Sequence, residues 1–220
     1  SSPAFANGKI YITGMVNGQG VLFVIDKTGK KIKQYEYGKE WETNFPGARS
    51  TVTVSGSLAY LYSGLGNLAC FDLDSEKIKW HVDLVGDLEG SNITWGVTES
   101  VVVDGDRVFC TPGGKTNNVV ALNRLTGEKI WACPGLGELS AYNTPLLIKL
   151  PARKLLVTMT ASHILGIDTS TGKLLWSYEQ TNRWSVHANT PVFSDGSIFC
   201  FSGYGQGGVK LKLSSDGSSV

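Results

Sequence analysis

The sequence lacks several features that would indicate common classes of function. Basic and acidic residues are nearly balanced, at 20 and 19, so the concentrated basic surface of a nucleic-acid-binding protein is not expected. No apolar run reaches membrane-spanning length, and the start shows no signal-peptide pattern. No window places apolar residues at helical spacing behind a capping residue, so the sequence predicts no helix.

Cysteine and histidine are scarce and scattered. The four cysteines include no C-x-x-C pair, and the three histidines show no ligand spacing, so no metal site is predicted. Three of the cysteines lie in apolar strand patterns, which predicts buried, unreactive thiols, while a Cys110–Cys133 bridge stays open. The four are Cys70, Cys110, Cys133 and Cys200.

What the sequence does contain is a repeat. A short polar side chain before a turn recurs at Asp26, Asp72, Asn123, Asp168 and Ser214, with spacings of 46, 51, 45 and 46 residues that average 47. Self-similarity at this period indicates a solenoid, a propeller or an array.

Each period contains four short strand signals separated by Pro, Gly, Ser and Thr turns, and the strands favour Val, Ile, Leu and aromatic residues. The pattern predicts an all-β fold, a β-propeller of four-stranded antiparallel blades. The predicted blades cover roughly 1–46, 47–93, 94–140 and 141–186, followed by an incomplete blade over 187–220.

About four and a half blades are therefore expected, as part of a seven- or eight-bladed ring. The chain is predicted to be a fragment of a longer propeller, whose remaining blades would close the ring. The alternative is a dimer that completes the ring from two copies.

A tryptophan follows the repeated polar residue by eight positions in three copies, at Trp80, Trp131 and Trp176. A ring of this size can fill the wedge between diverging sheets, so these residues are predicted to dock neighbouring blades. In the first copy the same count gives Gln34, with Tyr35 beside it, so the first blade is expected to pack less regularly.

The segments "ALNRLTGEKIW" (121–131) and "GIDTSTGKLLW" (166–176) resemble the quinoprotein-type propeller repeat. That family contains pyrroloquinoline-quinone dehydrogenases and non-enzymatic relatives such as the propeller lipoprotein of the outer-membrane β-barrel assembly machinery. The stretch "ITWGVTESVVVDGDRVFCTPGG" is similar to secreted bacterial quinone-binding-like propellers. The resemblance covers essentially the whole chain and implies a periplasmic, cell-surface or secreted bacterial protein, with the export signal outside this sequence.

In a propeller the residues that lead into the innermost strands form a funnel at one face. Alignment on the turn glycines Gly8, Gly56, Gly105 and Gly196 places one short segment of each copy there. The candidate ligand-binding residues in and beside these segments are Arg49, Trp95, Glu99, Asn143, Trp184, His187 and Asn189.

Two functions fit these residues. The first is a non-catalytic scaffold or binding module that holds a protein or carbohydrate partner at the funnel and needs no cofactor. The alternative, implied by the resemblance, is a dehydrogenase of alcohols or sugars that uses pyrroloquinoline quinone and calcium, with Glu99, Asn143 and Asn189 as metal ligands. No funnel position is an aspartate, and the adjacent cysteine pair of many such alcohol dehydrogenases is absent, which favours the scaffold. No catalytic residue is assigned.

Overall fold

The computed structural model describes all 220 residues, and it contains nineteen β-strands and no helix. The strands form five antiparallel sheets, four with four strands and the last with three. The first sheet comprises β1 (Ala4–Ala6), β2 (Lys9–Val16), β3 (Gln19–Ile25) and β4 (Lys31–Lys39), and the second β5 (Thr53–Ser55), β6 (Leu58–Tyr62), β7 (Asn67–Asp72) and β8 (Lys77–Asp83). The third comprises β9 (Val102–Asp104), β10 (Arg107–Cys110), β11 (Val119–Asn123) and β12 (Lys129–Cys133), and the fourth β13 (Leu146–Lys149), β14 (Lys154–Met159), β15 (His163–Asp168) and β16 (Leu174–Glu179). The fifth comprises β17 (Val192–Ser194), β18 (Ser197–Phe201) and β19 (Gly208–Lys212).

Within every sheet the strands are paired in sequence order, as in a meander. The predicted fold class, an all-β propeller of antiparallel blades, is confirmed. Each sheet lies inside one of the predicted blade ranges, while the limits of those ranges in the connecting loops remain a prediction.

Short hairpins set the register of the strands. The Asn7–Gly8 and Asn17–Gly18 pairs all have positive φ, between 50° and 76°, as a two-residue type I′ turn requires. Because side chains alternate along a strand, this fixed register directs one set of apolar residues to each face of every sheet.

Four hydrophobic clusters lie between the five sheets. One joins the first and second sheets through Leu22 and Leu61, and the next joins the second and third through Tyr60 and Val108. The other two join the third to the fourth sheet and the fourth to the fifth. Each of the three middle blades therefore contributes to the core with both faces, and the first and fifth blades contribute with one face each, as in repeat architectures.

The three tryptophans lie at the corners between successive blades. Trp80 donates its indole N–H to the Arg124 carbonyl at 3.0 Å, and Trp131 donates to the Thr169 carbonyl at 3.0 Å. Trp176 does the same with the Gly217 carbonyl at 3.2 Å. Each ring is buried, so each tryptophan combines apolar contact with one hydrogen bond to the turn of the next blade.

The first blade departs from the predicted count. In the next three sheets, the tryptophan lies opposite the residue that is two positions before the repeated polar residue. In the first sheet the residue two positions before Asp26 is Val24, and Lys33 lies opposite it, not Gln34 or Tyr35. The turn after Asp26 is one residue shorter, which moves the docking position forward by one. Lys33 forms an ion pair with Glu76 in the turn of the second blade.

All four cysteines are buried and free, so the Cys110–Cys133 bridge left open above is not formed. No helix in the structure is long and apolar enough to cross a membrane.

Candidate functional site

The propeller has two faces of different construction. The turn face carries the hairpins between the first and second and between the third and fourth strands of each sheet. The connector face carries the loops between sheets and those between second and third strands. On the connector face, backbone hydrogen bonds join the loops between sheets to the loops between second and third strands. Val97 N–H donates to the Gly64 carbonyl at 3.0 Å, and Ala161 N–H donates to the Leu139 carbonyl at 2.9 Å.

The connector face contains an open cavity of about 590 Å³ where the loops lead into the innermost strands. The surface that lines this cavity is here called the wall. Among the lining residues, a serine or threonine recurs at an equivalent place in every blade. These residues are Ser2, Thr51, Ser100, Thr144 and Thr190. No carboxylate lines this wall.

Three of the wall hydroxyls also tie neighbouring blades together. The backbone N–H of Ser2 donates to Thr51 Oγ1 at 3.2 Å, that of Thr51 to Ser100 Oγ at 2.9 Å, and that of Ser100 to Thr144 Oγ1 at 3.0 Å. Each hydroxyl accepts one hydrogen bond from the blade before it, which leaves its own O–H available as a donor.

Three of the sequence-predicted candidates lie between wall positions and bond to their own blade. Glu99 accepts the Thr111 backbone N–H at 3.0 and 3.1 Å, and Asn143 Oδ1 accepts that of Met159 at 3.1 Å. Asn189 is exposed, and its amide donates to the Phe201 carbonyl at 3.0 Å. Consecutive side chains in an extended segment face opposite ways, so a shift of one position exchanges the wall for the blade interior. The segments are those predicted, but the wall is lined by the neighbouring residues.

Glu99 is 2% exposed, and burial raises the pKa of its carboxyl group to about 8, although the hydrogen bonds from Thr111 oppose the shift. The carboxyl group is therefore largely protonated at neutral pH. A neutral acid in this place joins the strands of its blade and is poorly suited to hold a cation.

Arg49, in contrast, lies on the wall. Its Nη2 donates to the carbonyls of Asn44 and Phe45 at 2.7 and 2.8 Å, and its guanidinium carbon lies 5.7 Å from the centroid of the Trp41 ring. Its Nε is buried without a hydrogen-bond partner, as is Oγ of the adjacent Ser50. The part of Arg49 that lines the wall therefore carries a positive charge with no carboxylate in contact, which is suited to binding an anion.

Four exposed aromatic side chains lie in the loops of the connector face and are here called the aromatic rim: Phe45, Trp95, Trp184 and Tyr204. They are between 41% and 79% exposed. The ring centroids of Phe45 and Trp95 are 6.1 Å apart, and those of Trp184 and Tyr204 6.4 Å apart. Sequence reasoning selected the two tryptophans and missed Phe45 and Tyr204. Both could have been found from the sequence, because each is an aromatic residue in a loop that a propeller places on this face.

His187 lies beneath the connector face and is fully buried. Its backbone N–H donates to the Ala141 carbonyl at 3.0 Å, and its ring Nε2 is 3.3 Å from the Ala161 carbonyl. Burial lowers the pKa of the imidazole, so the ring is neutral near pH 7. Of the seven ligand-binding candidates, the structure buries Glu99, Asn143 and His187 and leaves Arg49, Trp95, Trp184 and Asn189 partly or fully exposed on the connector face.

Comparisons with known proteins agree with this architecture. A family model described as outer membrane protein assembly factor BamB matches residues 18–217. The chain belongs to this family. BamB of Kangiella koreensis is 24% identical over 209 residues, which cover 93% of this chain and 49% of that protein. The crystal structure of BamB from Moraxella catarrhalis superposes with a TM-score of 0.68 at 16% identity, over 96% of this chain and 60% of the other.

A europium-containing methanol dehydrogenase also superposes, with a TM-score of 0.60 at 17% identity, over 81% of this chain and 41% of that enzyme. At this identity the likeness shows the fold alone. The BamB-family chain described here spans about half the length of the relative from Kangiella koreensis.

The wall of this BamB-family chain does not fit the calcium site that the dehydrogenase alternative requires. Calcium takes six to eight oxygen ligands. Glu99 and Asn143 are turned into their blades, and Asn143 Oδ1 already accepts the Thr158 hydroxyl as well as the Met159 N–H. The structure brings together no group of three or more His, Cys, Asp or Glu side chains that could hold a metal.

Proposed function

We propose that this chain is part of a non-catalytic propeller scaffold that binds a protein partner in the bacterial envelope, with the connector face as the binding surface. The observation that carries the proposal is the aromatic rim on the same face as a wall that contains an arginine without an ion-pair partner. Clusters of exposed aromatic side chains beside an arginine are typical of protein interfaces, where Trp, Tyr and Arg supply most of the binding energy.

The family supports a partner of a particular kind. The relative from Kangiella koreensis is named an outer membrane protein assembly factor. We therefore infer that the partner is a component of outer-membrane protein assembly and that the scaffold works on the periplasmic side of that membrane. The wall offers hydroxyl groups and one arginine, which suffices for recognition and leaves the scaffold without an acid–base pair for catalysis.

Site-specific photo-cross-linking of the full-length protein in its own bacterium tests the binding surface. A photoreactive phenylalanine analogue replaces Trp184 or Tyr204 on the rim, and Leu125 in a turn-face hairpin serves as the control because it is 52% exposed. We expect one discrete protein adduct from each rim position and none from Leu125. Identification of the adduct as an assembly component by mass spectrometry would support the proposal. Equal labelling from both faces, or no protein adduct from the rim, would contradict it.

A binding measurement with the purified partner then separates the rim from the rest of the surface. Trp95→Ala and Trp184→Ala each remove a large exposed ring and are expected to weaken binding by about tenfold or more, as truncation of an interface hot spot does. Leu125→Ala is the matched control and should leave the affinity unchanged. If the rim variants bind the partner normally and instead lose binding to an oligosaccharide, the ligand of this face is a carbohydrate.

A further inference from the structure

We propose that the wall of the connector face contains an oxyanion-binding position centred on Arg49, and that the partner occupies it with the carboxylate of an acidic side chain flanked by apolar residues. The peptide source of the carboxylate rests on the proposed function, whereas the oxyanion position itself does not.

The guanidinium is held in place before any ligand arrives. Two carbonyls accept hydrogen bonds from one nitrogen, Nη2, and the Trp41 ring lies against the group. Nε is buried and has no partner. A planar fork that is already oriented loses little side-chain entropy on binding, so a carboxylate gains most of the interaction free energy.

The charge of Arg49 is not neutralised by a contact in the protein. No carboxylate lies on the wall. The positive charge of Arg49 acts on the carboxyl group of Glu40, which is buried. The Glu40 oxygens accept hydrogen bonds from the backbone N–H groups of Trp41 and Gly64 and from the Tyr37 hydroxyl. Burial raises the pKa of Glu40, while these hydrogen bonds and Arg49 oppose the rise.

Two other arginines show what the protein does with such a group elsewhere. Arg107 and Arg153 each have a buried Nε without a partner, as Arg49 does. On the turn face, however, Arg107 is paired with Asp106 at 2.9 Å, and Arg153 lies 3.5 Å from both Asp168 and Asp216. Arg49 is the arginine of this type that lines the wall and has no acidic side chain in contact.

The rest of the wall also favours an anion. Thr51 Oγ1 and Ser100 Oγ each accept one backbone N–H group and keep the O–H free to donate to an anion. The apolar surroundings come from the rim, since the Phe45 carbonyl is one of the two acceptors of Arg49 and the Phe45 ring lies beside Trp95. A partner carboxylate flanked by apolar side chains would be complementary to this surface. The carboxylate would accept hydrogen bonds from Arg49 and the wall hydroxyls, and the apolar side chains would contact the aromatic rings of the rim.

The test uses nuclear magnetic resonance of the nitrogen-labelled protein and reads the Nε–Hε cross peak of Arg49, assigned by its loss in Arg49→Lys. The probes are an acetylated, amidated Phe-Glu-Phe peptide, its Phe-Gln-Phe counterpart, and glutarate. We expect the Glu peptide and glutarate to move the Arg49 peak saturably. The Glu peptide should bind about tenfold tighter than the Gln peptide, as expected for one charge-assisted hydrogen bond. The Nε–Hε peaks of Arg107 and Arg153 serve as internal controls and should stay in place.

Variants assign the effect. Arg49→Gln should abolish the preference for Glu over Gln while leaving the weaker apolar binding of both peptides. Should Arg49→Gln disturb its loop, Ser100→Ala, which leaves the Arg49 contacts intact, should reduce the same preference. Trp95→Ala should weaken both peptides equally.

The outcomes separate the two proposals. If both peptides bind equally and the Arg49 peak does not move, the oxyanion position is wrong and the rim remains a peptide-binding surface. If glutarate moves the peak and neither peptide binds, the oxyanion position stands and the protein partner proposed for this face is not supported. If no probe moves the peak, the inference is overturned.

Discussion

The turn face and the connector face are built from the same five sheets, yet they are stabilised differently. At two corners of the turn face the same contact recurs: a buried tryptophan donates to the next turn, and it lies against that turn's glycine. An alanine Cβ at Gly127 would lie 2.9 Å from Trp80, and one at Gly172 would lie 2.7 Å from Trp131. The connector face has no buried tryptophan of this kind; there a backbone N–H donates to a hydroxyl of the next blade at three places. The rest of the connector-face loops differ in length and sequence from blade to blade, as is typical of loops that build a surface.

The turn face also contains its own exception, at the corner between the first two blades. Lys33 stands where the other corners have tryptophan, and Glu76 stands where they have the turn glycine, at a φ of 59°. The two changes go together, because a side chain longer than glycine fits the turn when no tryptophan ring lies beneath it. An exposed ion pair replaces the buried ring at this corner.

The largest expected difference between the faces comes from truncating a tryptophan on each. Trp131→Ala removes a buried ring and its hydrogen bond to Thr169 and should lower the free energy of unfolding by about 3–5 kcal/mol. Trp184→Ala, on the exposed rim, should change it by less than about 0.5 kcal/mol. Urea denaturation of the two variants measures both values. Similar losses from the two substitutions would contradict the division of roles between the faces.

The second expected difference lies on the connector-face side and depends on pH. The pKa of Glu99 is about 8 in the folded protein, against roughly 4.3 for an unfolded glutamate. Because the folded state holds the proton more tightly, the stability from the protonated group is fully present below about pH 4.3 and is lost as the pH rises towards 8. The slope between these limits is about 1.4 kcal/mol per pH unit.

Glu99→Gln provides the control for this effect. The amide oxygen can still accept the Thr111 N–H, so stability at low pH should change little, while the Glu99 share of the slope between pH 5 and 8 should disappear. Chemical denaturation across that range, with the difference taken between the parent protein and the variant, isolates Glu99 from other titrating groups. An unchanged slope in the variant would show that Glu99 is already ionised in the fold.

The docking tryptophans and the wall also show how much of the structure could be predicted from the sequence. The repeat period predicted the fold class and the docking tryptophans, because the same contact recurs at three of the four corners. Which residues line the wall could not be predicted, because side chains alternate along an extended segment. Ser100 and Glu99 are adjacent, and only the direction of the backbone decides which of the two faces the wall. The short turn after Asp26 displaced the docking position to Lys33, since a fixed count of eight assumes turns of equal length. The aromatic rim required loops from different blades to meet, which periodicity does not describe.

A third, smaller difference should separate two equivalent turn positions. Gly172 has a φ of 76° and no room for a Cβ above Trp131, so Gly172→Ala should cost about 2 kcal/mol from backbone strain and from displacement of the ring. Glu76→Gly, at the equivalent place in the second blade, relieves a left-handed residue and should cost less than about 0.5 kcal/mol. Thermal denaturation of both variants provides the comparison. A large loss from Glu76→Gly would mean that the ion pair matters more than the conformation.

The smallest expected effect is the coupling between Lys33 and Glu76 themselves. Their side chains are 49% and 41% exposed, so solvent screens the attraction, and a double-mutant cycle with Lys33→Gln and Glu76→Gln should give a coupling energy below about 1 kcal/mol. The coupling should fall towards zero in molar salt, where charges are screened within a few ångströms. The same salt should leave the cost of Trp131→Ala unchanged or slightly larger, because apolar burial is not screened. A coupling that persists in high salt would show that the Lys33 and Glu76 side chains are joined by a direct contact that salt does not screen, and this corner would then resemble the tryptophan corners in depending on contact more than on charge.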